Sequence, residues 1–122
     1  MQKVIQKFEI EHLQILDEKG NCDEKLKPKE LTPQVIKKLY ELMVLSRMFD
    51  EKMFAMQRQG RLYTFAQSKG QEAADIGSTF PLEKSDWMVP YFREIGAHLV
   101  RGLPPEKYLM YWMGDERGQQ VP

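Results

Sequence analysis

The run TPQVIKKLYELMVLSRMFDEKMFAMQRQG, residues 32–60, decides how the rest of the chain is read. Thr32 offers a side-chain oxygen to cap a helix, and Pro33 stands at the first helical position, where a missing N–H costs nothing. Val35, Ile36, Leu39, Leu42, Met43, Phe49, Met53 and Met56 then recur at three- and four-residue steps as far as Gly60. That spacing is one face of an α-helix, and glycine is a common stop. One long amphipathic helix is therefore expected. Leu45 and Met48 widen its apolar side, so it should bury more than one face or pack against a second chain.

Upstream of this helix, Phe8, Ile10, Leu13 and Ile15 alternate with a slip at His12, which predicts a short strand or extended arm over residues 4–16. Asp17 to Asn21 reads as a turn, and residues 22–31, charged and carrying Pro28, as a linker. Downstream, residues 60–69 should be a loop bearing Tyr63 and Phe65. A helix is expected over Gln71–Thr79, where Ala73, Ala74 and Gly77 form a small-residue face. Residues 81–90 carry two prolines and should connect. Phe92, Ile95, Leu99 and Val100 predict a third helix ended by Gly102, and Pro104-Pro105 opens a fourth, crowded with Tyr108, Tyr111 and Trp112 and closed by Gly114. The tail from Asp115 shows no period.

The composition, 42% hydrophobic and 30% charged over 122 residues, is that of an ordinary globular chain. Its 18 basic and 18 acidic residues cancel, which removes the electrostatic argument for nucleic acid or an anionic membrane as partner. The single cysteine, Cys22, and the two histidines, His12 and His98, are too few for a Cys/His zinc site of ordinary composition, and one cysteine, which cannot form an internal disulfide, points to a reducing, cytoplasmic setting. No apolar run reaches the length of a membrane span.

The usual phosphate-loop, nucleophile-elbow and zinc-protease motifs are missing from the sequence. Two stretches nevertheless carry chemistry. Gln57-Arg58-Gln59-Gly60-Arg61 puts two guanidinium groups at a helix end, suited to an anion or simply to the helix dipole. Pro90-Tyr91-Phe92-Arg93-Glu94 is expected to bring aromatic faces and a guanidinium into the first turn of the third helix, beside free backbone N–H groups that could hold a phosphate. Packing of the aromatics and pairing of Arg93 with a carboxylate is the competing reading. His98 is expected to be packed rather than to act as a base.

Six motifs occur in order: Arg47-Met48-Phe49-Asp50-Glu51-Lys52, Gln57 to Arg61, Gly70-Gln71-Glu72-Ala73, Asp86-Trp87, Tyr91 to Glu94 with Gly96, and Arg101-Gly102. Together they resemble the N-terminal part of the α subunit of thiamine-diphosphate-dependent 2-oxo acid dehydrogenases of the pyruvate and branched-chain type. Leu16 to Gly20 ahead of Leu31-Thr32-Pro33 also looks like that family's start.

The resemblance implies a mainly α segment, the N-terminal part of an α/β thiamine-diphosphate-binding fold, with residues 1–31 as arm and linker and 32–122 as the helical part. It implies oxidative decarboxylation of pyruvate or a branched-chain 2-oxo acid in the cytoplasm, linked to glycolysis, with acyl transfer to lipoyl groups. The implied partners are a β subunit in an α2β2 heterotetramer and a lipoyl-bearing acyltransferase; nucleic acid and membrane are not among them. Thiamine diphosphate and Mg2+ are the implied cofactors.

Arg93 matches the family's diphosphate-contacting arginine. Phe92 stands where the family has tyrosine, so that hydroxyl is either missing or supplied by Tyr91; adjacent helical residues point apart, which argues against Tyr91. Cofactor contacts are thus expected from Arg93, Tyr91 and Phe92. No metal ligand and no catalytic acid, base or nucleophile is expected in the chain, because the family's G-D-G metal motif falls beyond Pro122 and its activating glutamate is on the β subunit. Residues 118–122 resemble the stretch just ahead of the family's histidine loop. The alternative is a noncatalytic helical subunit-assembly module. On the resemblance, the isolated chain reads as a truncation and should show no cofactor-dependent 2-oxo acid decarboxylation; carbon dioxide release above background from the purified chain would refute this.

Overall fold

The computed structural model describes residues 1–119. The end of the family-like stretch, residues 120–122, therefore lies outside the described residues. The chain divides into two units, residues 1–32 and 33–122.

In the first unit the expected strand does not form. Among its residues the only ladder contact is one antiparallel bridge between Leu16 and Cys22. Its turn is closed by the Asp17 carboxylate, which accepts from the N–H of Lys19 at 2.9 Å and of Asn21 at 2.8 Å. A strand needs a paired edge, and the alternating residues Phe8, Ile10 and Leu13 have none, so they stay exposed.

The second unit is helical, and no strand occurs among the described residues: α1 (Pro33–Arg58), α2 (Glu72–Thr79), α3 (Ile95–Val100), α4 (Pro105–Trp112) and a 3-10 turn, Glu116–Gln119. The mainly helical reading and the four expected helices are present. Gly60 adopts φ +73 and ends α1 as expected. The tail after Asp115, read as unperiodic, forms the 3-10 turn instead, with Arg117 bonded to the Asp115 carboxylate at 2.9 Å. Among the described residues no helix is long and apolar enough to cross a membrane.

The core gathers Met53 and Met56 of α1, Leu62 and Phe65 of the following loop, Ile95 of α3, Leu103, and Tyr108 of α4. Phe65 meets Trp112 edge to face at 5.4 Å, and Phe49 meets Tyr108 at 6.2 Å. Such pairs add to simple area burial.

The apolar periodicity of α1 overstates its buried side. Ile36, Tyr40, Val44 and Met48 are exposed, whereas Ser46, Asp50, Met53 and Met56 are buried. Steps of four, three and three put those last residues on one stripe. Likewise α2 leaves its small residues Ala73, Ala74 and Gly77 open and buries Glu72, Asp75, Ile76 and Thr79. The buried sides of both helices are partly polar and so need hydrogen-bond partners, which Ser46 Oγ, Asp50 Oδ2 and Asp75 Oδ2 lack among the described residues.

Gly96 marks the crossing of α2 and α3. A Cβ placed there would lie 2.9 Å from the Asp75 Cβ and 2.9 Å from the Ile76 Cγ1. Gly96→Ala is therefore expected to force these helices apart and destabilise the unit by ~1–3 kcal/mol, measured as a lower urea midpoint at unchanged slope.

Candidate functional site

The Tyr91–Glu94 segment does not begin α3. That helix starts at Ile95, and Glu94, with φ −98 and ψ 55, is outside helical geometry. The Glu94 carboxylate turns back to accept the Tyr91 N–H, so this donor is occupied rather than free for a phosphate. Because the backbone turns here instead of spiralling, neighbouring side chains are not forced apart. The Tyr91 and Phe92 rings lie with centroids 4.0 Å apart. The steric objection to Tyr91 standing beside Phe92 thus fails.

Tyr91 and Phe92 form one lip of a cleft of about 440 Å³, whose other walls include His98, Tyr108, Tyr111 and Trp112. Among the described residues, none that lines it carries a formal charge at neutral pH. Burial lowers the pKa of His98, which keeps its ring neutral, and pushes the Tyr108 hydroxyl up to about 12. The His98 and Tyr108 rings lie 5.2 Å apart. His98 is packed, as expected, and it separates this cleft from a second one beside Trp87 and Arg101. A neutral, aromatic-walled cleft suits a planar ring system by stacking.

Arg93 does not itself line the cleft but stacks on Phe92, which does. The Arg93 Cζ lies 5.1 Å from the centre of the Phe92 ring, and its Nη1 donates to the Gln67 carbonyl at 2.7 Å. The side chain remains exposed, and a guanidinium has five N–H donors, so it can also grip an anion. The other expected cations sit elsewhere: Arg58 is exposed with its guanidinium over Phe54 at 5.9 Å, and Arg61 is exposed. Neither lines the cleft. Arg101 donates to the carbonyls of Glu83 at 2.7 Å and Asp86 at 3.1 Å, so it fastens the connection preceding the cleft.

Behind Arg93 lies a polar network that hydrophobic periodicity passed over. Arg47 of α1 pairs bidentately with Glu72 of α2, its Nη2 donating at 2.7 Å, and Glu72 also accepts the Gly70 N–H at 3.1 Å. Hydrogen bonds from Arg47 draw the Glu72 carboxyl down to about 2. Asp50, fully buried, accepts the Ser68 N–H at 2.7 Å and the Ser68 hydroxyl at 3.2 Å. Asp75 is buried without a partner for its Oδ2; burial pushes its carboxyl up to about 6, the Gly96 N–H opposing and Glu94 and Glu72 adding. The available signal was positional: Ser46 and Asp50 interrupt the apolar stripe at the spacing of its buried members.

The family profile described as "Dehydrogenase E1 component" matches residues 40–121, two thirds of the chain. The chain belongs to the dehydrogenase E1 component family. Relatives named "Pyruvate dehydrogenase E1 component subunit alpha" include one from Mycoplasma genitalium, 40% identical over 108 residues (88% of this chain, 30% of the relative), and one from Acholeplasma laidlawii, 42% identical over 107 residues (87% and 31%). A Mycobacterium tuberculosis protein named "3-methyl-2-oxobutanoate dehydrogenase subunit alpha" is 34% identical over 116 residues (94% and 32%). The chain thus spans about a third of the length of the curated relatives it matches.

The two carboxylates of α2 give this E1 segment opposing pH dependences. Glu72, lowered from 4.5 to about 2, contributes stability that is complete above about 4.5 and lost as pH falls toward 2. Asp75, raised from 3.8 to about 6, holds its proton longer when folded, so its contribution declines as pH rises from about 4 to 6. Asp75→Asn should therefore stabilise the fold by ~1–2 kcal/mol above pH 6, and Glu72→Gln should remove the gain between pH 2 and 4.5. Urea titrations from acid to neutral pH measure both.

Proposed function

We propose that this chain is the cofactor-facing N-terminal part of the α subunit of a 2-oxo acid dehydrogenase. The activity is thiamine-diphosphate-dependent oxidative decarboxylation of pyruvate or a branched-chain 2-oxo acid, with transfer of the acyl group to lipoyl groups. The proposed assembly is α2β2 with a β subunit, serving a lipoyl-bearing acyltransferase in the cytoplasm. The observation that carries the reading is an aromatic cleft with no charged residue among its described lining, next to one exposed, anchored guanidinium, Arg93, stacked on the lip residue Phe92.

That pairing fits a ligand with a flat ring system and an anionic end. Arg93 would hold the diphosphate by charge-assisted, fork-like hydrogen bonds, Phe92 would support the guanidinium, and Tyr91 would bring a hydroxyl to the same lip. The bound cofactor supplies the decarboxylation chemistry; these residues bind, orient and limit water. The Mg2+ that accompanies the cofactor is proposed to take its ligands from outside this chain.

The assembly reading also has an observation in its favour, the exposed ridge Ile36, Tyr40, Val44 and Met48 on α1. The two readings separate at Arg93. In the α subunit containing this segment, assembled with its β subunit, Arg93→Ala should raise the Kd for thiamine diphosphate by at least about tenfold, since a charge-assisted bond contributes roughly 1.5–3 kcal/mol. Association with β should be unaffected. Tryptophan fluorescence titration measures the Kd, and an unchanged value would leave only the assembly module.

A further inference from the structure

The Gln67–Ser68 peptide bond links the buried acid of α1 to the exposed guanidinium of Arg93. Its N–H end is the donor that the buried Asp50 carboxylate accepts at 2.7 Å. Its carbonyl end is the acceptor to which Arg93 Nη1 donates, also at 2.7 Å. One rigid, planar amide therefore lies between an acid and a guanidinium, its dipole aligned with both charges. A carboxylate on the N–H polarises the amide and makes its oxygen a stronger acceptor, so the two hydrogen bonds reinforce one another.

We infer that Asp50 is a positioning residue for Arg93, acting through the Gln67–Ser68 peptide to aim the guanidinium at the anionic end of the ligand. The inference rests on the proposed role of Arg93 in diphosphate binding. Asp50 has no exposed surface and cannot touch a ligand in the cleft. Its place on α1 is fixed by the helix and by Met53 one turn on, which is also fully buried. Asp50 thereby transmits the rigidity of the longest helix to an exposed side chain on a turn, which would otherwise sample several rotamers. Restricting those rotamers before the ligand arrives strengthens binding without any added ligand contact.

A double-mutant cycle in the α subunit assembled with its β subunit tests this. Asp50→Asn keeps the shape and an acceptor oxygen but removes the charge. It should raise the Kd for thiamine diphosphate and for inorganic pyrophosphate by about 5- to 10-fold when Arg93 is present and by less than about twofold in an Arg93→Ala background. Thiamine, which has no diphosphate, should bind the Asp50→Asn variant as it binds the parent. Equal losses in both backgrounds, or an equal loss for thiamine, would give Asp50 a general structural role and overturn the inference. So would an unchanged Kd in Asp50→Asn when Arg93→Ala weakens binding. Should Arg93→Ala itself leave the Kd unchanged, the diphosphate reading fails first and takes this inference with it. For a substitution that prevents assembly, Asp50→Ser, small enough to admit a bridging water, provides the second variant, with the same factors expected.

Discussion

A carboxylate with no exposed surface has to find its partners within the protein, and Asp50 takes the backbone N–H and hydroxyl of a single residue, Ser68, both at Oδ1, while its Oδ2 has no partner among the described residues. The cost of burying it uncompensated makes the loop after α1 fold back along the helix instead of wandering. Once Ser68 is fixed, Gly70 and Glu72 fall where Arg47, one turn before Asp50, can pair with the carboxylate of Glu72. The position of α2, and through the close contact at Gly96 that of α3, follows from this anchorage. Apolar packing fills the interior, but directional hydrogen bonds select the register in which it packs.

The cleft shows how little regular structure a binding surface needs. Its lip is a turn closed by a side chain, since Glu94 returns to the Tyr91 N–H, and its walls come from α3, α4, the residues between them and the 3-10 turn. The preceding connection has no helix or strand of its own, yet Arg101 binds its carbonyls at several points. Guanidinium groups do much of the work of a missing sheet here, because one planar fork can satisfy several oxygens that a loop would otherwise leave to water.

Much of this was legible in the sequence wherever the physics is local. Pro33, Gly60 and Pro105 punctuate helices by their own backbone restrictions, and those boundaries agree with the structure to within two residues. Arg93 and the aromatic pair stood out because Pro90 is followed directly by two rings and a guanidinium. What remained hidden depends on partners far along the chain. The start of α3 was misplaced because a turn closed by Glu94 competes with helix at Phe92. The alternation around Phe8 predicted a strand because a sequence does not reveal whether an edge exists to pair with it. Asp50 looked like one more charge on a helix, and its burial became visible only through Ser68, 18 positions away.

The uncovered ridge on α1 has a final consequence. Four large apolar side chains at successive four-residue steps hold water in an unfavourable arrangement, and any protein surface that covers them binds the folded state in preference to the unfolded one. The free energy of folding then contains a mass-action contribution, growing with the logarithm of the covering partner's concentration. For the helix that anchors the whole unit, stability is a property of the solution as well as of the chain.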